Sequence, residues 1–398
     1  MSAHAPADAS QGFAAPGFEG VREAFECNLR DRGEIGAAFC AVVDGETVVD
    51  LWGGMADSRR GVPWRQDTVA VVFSGTKGLV ATCMLMLLER GLLELEAPVC
   101  RYWPEFAAHG KEGILVRHVL THTAGLPGLT TRVSAQEAAD DVRMAQLLAA
   151  QAPVGVPGKV MAYHVLTYGW LCGELVRRVD GRSVGRFFRE ELAEPLGLDA
   201  WIGLPSEHEP RVAVLEPAAD FAGELPSFVA PDAPGATKRD RILWSMLANP
   251  PGLFDGTELA NSRCWRAGEI PAANGVASAR AMARLYGCLA CGGAIEGVRV
   301  LAQDTLALAS RELARGHDPY HDRPMIYGAG FNLALDEEDT WSPSGGYGHG
   351  GLGGSHHGAW PSFRTGFSYT MNLLGGAPDP RPAALLAALR RALDERPR

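Results

Sequence analysis

Ser74 and Lys77 stand three residues apart in Val71-Val72-Phe73-Ser74-Gly75-Thr76-Lys77-Gly78-Leu79, at the head of an apolar run with helical spacing. Residues three apart share a helix face, so the lysine nitrogen can reach the serine hydroxyl. A free serine hydroxyl is a poor nucleophile, and an amine whose proton affinity is lowered by desolvation can take its proton. The start of a helix adds free N–H groups and a positive field beneath the reacting oxygen. The competing reading is an N-cap serine followed by a surface lysine, because Ser-x-x-Lys arises often by chance. Val72 and Phe73 before the pair and the apolar run after it set the lysine where a solvated charge is not expected.

Two further segments hold residue types that could join this chemistry. Tyr163 lies in Val156-Pro157-Gly158-Lys159-Val160-Met161-Ala162-Tyr163-His164-Val165; on residue type alone it is a half-buried aromatic in front of a helix. The cluster Gly346-Tyr347-Gly348-His349-Gly350-Gly351-Leu352-Gly353-Gly354-Ser355 lets backbone come close to a ligand. It formally contains G-x-G-x-x-G, but strand-like residues follow where a dinucleotide loop needs a helix. His349, His356 and His357 raise the question of a metal, yet adjacent histidines on a strand point to opposite faces. Cys288 and Cys291 form a C-x-x-C with no second pair and no βαβ pattern nearby. No cofactor and no metal are expected. A G-x-S-x-G nucleophile elbow is missing: Ser355 comes nearest, with His357 where glycine is required.

The elements that must position these groups are legible in outline. Residues 1–16, rich in Ala, Pro and Ser, read as a disordered tail. A helix is predicted over 17–32, and a hairpin over 37–52 whose Asp44-Gly45 supplies the turn. Helical spacing runs over 74–93, 117–122, 135–151, 163–179, 278–291 and 381–395, and strand-like segments over 326–335, 354–360 and 366–374. The stretch 205–265 is rich in Pro, Gly and acidic residues with little period, a candidate for loops lining a site. Strands at both ends with helices between predict an α/β (α+β) fold in a single domain over 17–398. Its α/β part would be made from about 17–72 and 272–398, with a helical part over about 73–271.

Bulk properties exclude several function classes. The formal charge is -10 with no stripe of Lys or Arg, so nucleic acid is not an expected partner. The longest apolar run, near 79–88, is too short to span a bilayer, and no signal segment opens the chain, so no membrane association and a cytoplasmic location are expected. The eight scattered cysteines suit a reducing compartment.

Taken together, Ser74-x-x-Lys77, the segment around Tyr163 and His349-Gly350-Gly351 resemble the family VIII carboxylesterases, relatives of class C β-lactamases and penicillin-binding proteins. The resemblance implies a β-lactamase/transpeptidase-like fold, an antiparallel sheet flanked by helices with an inserted helical subdomain. It implies that Tyr163 acts with Lys77 as general base and then hands the proton to the leaving alkoxide. It sets His349-Gly350-Gly351 where β-lactamases carry Lys-Thr-Gly, with the N–H groups of Leu352 and Ser74 on the developing oxyanion and His349 orienting the acyl carbonyl or carboxyl side. β-Lactam-cleaving relatives usually carry Asn two residues after this tyrosine; Val165 departs from that pattern. Leu120-Thr121-His122-Thr123-Ala124-Gly125, Trp52-Gly53-Gly54 and Ala273-Asn274-Gly275 also match and read as fold markers. The expectation is a serine hydrolase acting on a small-molecule ester. Acyl transfer, amide or β-lactam hydrolysis on the same acyl-enzyme, and a non-catalytic scaffold, stand as alternatives.

Overall fold

Asp44 and Gly45 adopt φ of 54° and 86°, the mirror-image turn whose twist matches that of paired strands. They join β2 (Gly36–Val43) to β3 (Glu46–Asp57), the hairpin predicted from the sequence. The computed structural model describes residues 10–219, 221, 227–254, 256–320, 322–333, 343–376 and 378–396.

Preceding the hairpin are β1 (Gln11–Ala14) and α1 (Glu19–Asp31). The expected disordered tail is therefore corrected over 11–14. Gln11 to Ala14 pair antiparallel with Trp52 to Val49, Trp52 Nε1 donates to Gln11 Oε1 at 3.2 Å and Arg22 Nη2 donates to Gly12 O at 2.9 Å. An open edge of β3 supplies backbone partners that composition cannot reveal. Residues 1–9 lie outside the described residues.

The helices follow as α2 (Thr76–Glu89), α3 (Val116–Leu120), α4 (Asp141–Ala150), α5 (Thr167–Asp180), α6 (Lys238–Leu247) and α7 (Ala279–Ala290). The chain then returns to the sheet through β4 (Ala314–Asp318), β5 (Arg323–Tyr327), β6 (Asn332–Leu333), β7 (Tyr347–Gly350), β8 (His356–Trp360) and β9 (Thr365–Met371), and ends in α8 (Pro380–Asp394). Among the described residues these strands make one antiparallel sheet in the order β1-β3-β2-β9-β8-β7-β6-β5-β4, with Val62–Pro63 paired on β3. The predicted strand over 326–335 divides into β5 and β6; its last two residues lie outside the described residues. The glycine cluster is strand only through Gly350, and Leu352 opens a tight turn over Leu352–Gly354.

Helix α2 is buried from Thr76 to Leu87 on every side, which its all-round apolar sequence requires. Helix α7 lies on β2 and β9, and α8 packs on α1. Helix α6 was not foreseen: it sits inside the stretch read as irregular. Thr237 caps it, accepting from Asp240 N–H, in a Thr-x-x-Asp capping box, while Ile242, Leu243, Met246 and Leu247 turn inward. That cap was the available signal, hidden by the flanking Pro and Gly residues.

Arg381, at the start of α8, is the buried clamp between layers. Its guanidinium reaches Glu34 Oε1 at 3.0 Å and Asp379 Oδ2 at 2.7 Å, and it donates to Gly353 O at 3.2 Å and Leu373 O at 2.9 Å. The Tyr369 hydroxyl donates to the same glutamate. Burial pushes the Glu34 carboxyl up to about 7 against the opposing pull of Arg381. Among the described residues no helix is long and apolar enough to cross a membrane.

Candidate active site

Ser74 sits in a single tight turn, Phe73–Gly75, directly ahead of α2. Phe73 is held at φ 43°, a left-handed conformation costly for a bulky residue and persisting only where its surroundings enforce it. Thr76 supplies part of that enforcement. Its buried Oγ1 donates to Phe73 O at 2.5 Å and accepts from Gly275 N–H at 2.8 Å, while Val72 N–H donates to Gly275 O at 2.9 Å. The Ala273-Asn274-Gly275 segment is thus part of the site's scaffold. Asn274 Nδ2 ties it to Trp265 O at 2.7 Å and Gly268 O at 2.5 Å.

Lys77 is the second residue of α2 and is fully buried. Its Nζ is 3.1 Å from Ser74 Oγ, 2.8 Å from Val165 O and 3.0 Å from Ala272 O, and 4.7 Å from the centroid of the Tyr163 ring. Burial lowers the proton affinity of this amine, with the neighbouring Tyr163 phenol opposing the shift. The three side chains predicted to act together are therefore brought together.

Tyr163 arrives differently from the expectation. Helix α5 begins at Thr167, so Tyr163 stands in the connecting segment and not in the helix predicted over 163–179. The reason is competition for its neighbours' polar groups. His164 Nδ1–H donates to Ala162 O at 2.6 Å and its Nε2 accepts from Leu126 N–H at 3.2 Å; His164 N–H donates to His122 Nδ1 at 3.0 Å; Thr167 Oγ1 donates to Leu126 O at 2.6 Å. These bonds fasten 162–167 to the His122–Leu126 loop. Tyr163 N–H donates to buried Asp318 Oδ2 on β4 at 3.0 Å, and the His122 ring backs the phenol at 4.7 Å between centroids.

The glycine strand closes the other side. His349 is buried, its Nε2–H donating to Gly330 O at 3.0 Å, and burial aided by the nearby Lys77 pulls its proton affinity down to about 3, so the ring is neutral. His356 and His357 face opposite ways, as adjacent strand residues must: His357 Nδ1 meets Ser368 Oγ at 2.7 Å, and His356 stacks parallel to Phe367 at 6.0 Å. Gly351 passes so close to the Ser74 turn that an added Cβ would overlap Val72 O and Ser355 Oγ.

Ser74, Tyr163, His349, Gly350, Gly351 and Leu352 all line one cavity of about 730 Å³. Phe221, Leu247, Leu253 and Phe254 give it an apolar wall, drawn from the stretch expected to line a site. Among the described residues, no three His, Cys, Asp or Glu side chains converge as a metal would require; Cys288 and Cys291 are free thiols. Sequence reasoning passed over Thr76, Asp318, Arg323 and Tyr327. Thr76 lay inside the Ser-x-x-Lys motif, while the other three carry no motif and reach the site only through sheet pairing.

A family model described as Beta-lactamase matches residues 21–392. The chain is 37% identical over 393 residues to the esterase/beta-lactamase LipL of Mycobacterium tuberculosis, a match covering 93% of this chain and 85% of that protein. A solved family VIII carboxylesterase is similar at a TM-score of 0.87 and 37% identity, over 96% of this chain and 99% of that one. EstA from Arthrobacter nitroguajacolicus Rue61a is similar at a TM-score of 0.83 and 31% identity, over 97% and 98%.

Proposed function

Since this chain belongs to the beta-lactamase family, we propose that it is a serine hydrolase cleaving carboxylic esters through an acyl-enzyme on Ser74. The observation that carries this reading is the bonding around Lys77. A neutral amine has two N–H donors and one lone pair. As an ammonium Lys77 donates to Ser74 Oγ at 3.1 Å, Val165 O at 2.8 Å and Ala272 O at 3.0 Å; once neutral, its two remaining N–H groups are held by the two carbonyls and the freed lone pair points at the Ser74 hydroxyl. Burial favours that neutral form.

In the proposed sequence Ser74 Oγ attacks the ester carbonyl while its proton passes to Lys77 and Tyr163. The tetrahedral oxyanion rests on the N–H groups of Ser74 and Leu352, His349 orients the acyl side, and Gly350 and Gly351 let the strand approach. Collapse breaks the bond to the alkoxide, which leaves with a proton from Tyr163. Water then attacks the acyl-enzyme by the same route, releasing the acid and restoring Ser74. The neutral His349 supports uncharged acyl groups. Val165 gives its carbonyl to Lys77 and an apolar side chain to the cavity wall, which supports esters over β-lactams.

The test pairs a p-nitrophenyl ester assay with a fluorophosphonate probe. Ester turnover, with covalent label on Ser74, is expected from the native chain and neither from Ser74→Ala. Full turnover by Ser74→Ala refutes the mechanism, and an unlabelled native chain points to a scaffold without catalysis. Turnover of a chromogenic cephalosporin matching that of the ester counts against the ester preference.

A further inference from the structure

The cavity that holds Ser74 is lined by two side chains with a fixed charge among the described residues, Arg323 and Asp379. Asp379 is already matched, its Oδ2 lying 2.7 Å from Arg381 Nη2. The histidines of the wall are neutral, His349 and His357 at about 3 and His356 at about 4, all lowered by burial. Arg323 is exposed to the cavity, and no carboxylate among the described residues pairs with it.

Its position is set by the fold. Arg323 opens β5, directly opposite Asp318 on β4, and Asp318 is the residue that holds the Tyr163 backbone. The same register carries the guanidinium over the Tyr163 ring, with Cζ 5.3 Å from its centroid. A guanidinium stacked on an aromatic face keeps its in-plane N–H fork free for a planar anion. The ring it stacks on is the one assigned to protonate the departing alkoxide. The guanidinium therefore stands beside the group proposed to meet the leaving alkoxide.

We infer that Arg323 recognises a carboxylate on the alcohol portion of the substrate, so that the preferred esters are those of carboxylate-bearing alcohols or phenols. This rests on the ester-hydrolase reading above. The overall charge of -10 repels anions at long range, so the preference has to come from this local contact. A solvated rim arginine with no ligand is the rival, and it predicts no discrimination between charged and neutral esters.

The experiment compares meta-carboxyphenyl acetate with its neutral isostere meta-carbamoylphenyl acetate, each rate normalised to alkaline hydrolysis, using the full chain and its Arg323→Gln and Arg323→Lys variants. The native chain is expected to favour the anionic ester by roughly ten- to a hundredfold in kcat/KM, the range of a charge-assisted hydrogen-bonded contact. Arg323→Gln loses that preference, the anionic ester falling well beyond any change in the neutral one and chiefly through KM; Arg323→Lys keeps part of it, and salt erodes it. Equal native rates on the two esters overturn the inference while leaving the hydrolase reading intact. So does an equal loss on both esters in Arg323→Gln, with a shifted pH profile, which would make the arginine a group acting through Lys77 and Tyr163. A preference seen only with p-nitrophenyl hemiglutarate, whose carboxylate is on the acyl side, overturns it as well. A native chain that hydrolyses no ester and takes no label on Ser74 overturns the hydrolase reading and this inference together.

Discussion

Gly351→Ala isolates the contact between the glycine strand and the nucleophile turn. Gly351 has φ -114° and ψ 159°, extended backbone that alanine adopts freely, so the effect is steric and not conformational. The new methyl would overlap Val72 O and Ser355 Oγ. Ser355 can rotate away, although it gives up its 3.4 Å contact with Val72 O. Val72 O cannot yield so easily, because it is backbone and already accepts from Gly75 N–H at 2.9 Å. Restoring an ordinary separation of roughly 3.5 Å requires strand and turn to part by about 1 Å. Leu352 N–H, one residue on, moves with the strand and away from the Ser74 N–H it is proposed to work beside. A misplacement of about 1 Å costs on the order of a hundredfold in rate, which is about 2.7 kcal/mol of activation free energy. Overpacking costs stability as well, about 1–3 kcal/mol. The assay is kcat on p-nitrophenyl acetate, with a urea melt to establish folding and Gly113→Ala as control, since nothing lies within 4 Å of a Cβ there. A folded Gly351→Ala chain with native kcat would refute the reasoning, as would a loss confined to KM.

Lys77→Met replaces the proposed base by an apolar side chain one atom shorter, and kcat is expected to fall by roughly 10²–10⁴-fold with the fold retained. In the proposed mechanism the amine must be neutral to act, and burial lowers its proton affinity, so kcat is expected to rise with pH through that lowered value. His349, at about 3, contributes no limb near the ordinary histidine value; a histidine-like limb removed by a His349 substitution would contradict this. An unfolded lysine keeps its proton to about 10.4, whereas the folded amine sheds it earlier. Between the two values the unfolded state binds more protons and stability rises with pH, a slope that Lys77→Met should flatten in denaturant melts run across that window. Thr76→Val strands the Gly275 N–H and frees the Phe73 turn, so unfolding in urea should come earlier by roughly 1–3 kcal/mol, with Thr76→Ser near native; an unchanged midpoint for Thr76→Val would show that the turn holds itself. Arg381→Met leaves the buried Glu34 and the partly buried Asp379 without their cation, and calorimetry should register a loss of about 3–5 kcal/mol; equal stability would mean that Glu34 is protonated in the native chain.

Local interactions are what the linear order of residues can express, and those parts of the molecule were readable from it. Ser74, in the turn ahead of α2, and Lys77, at its start, are close for a largely local reason, because three residues make nearly one turn. Asp44-Gly45 adopts left-handed backbone for reasons internal to those two residues. The expected chemistry followed from Ser-x-x-Lys read together with the family resemblance, and the antiparallel sheet flanked by helices followed from that resemblance. Tyr163 could be named only through that resemblance, since its own neighbourhood is an ordinary loop.

Long-range packing decided the rest. The acceptors that occupy the N–H groups of Lys77 are main-chain carbonyls 88 and 195 residues away, and a carbonyl has no signature in a sequence. The lowered proton affinity of Lys77 follows from the desolvation of an entire helix, a property of the assembled core. Arg323 stands over Tyr163 because β5 pairs with β4 in one register; a slip of one residue would turn it to the other face. The strand at Gln11–Ala14 exists because β3 had an edge to offer. Residue identity decides which groups could react, and only the closed chain brings together the distant backbone and charge that the proposed chemistry needs.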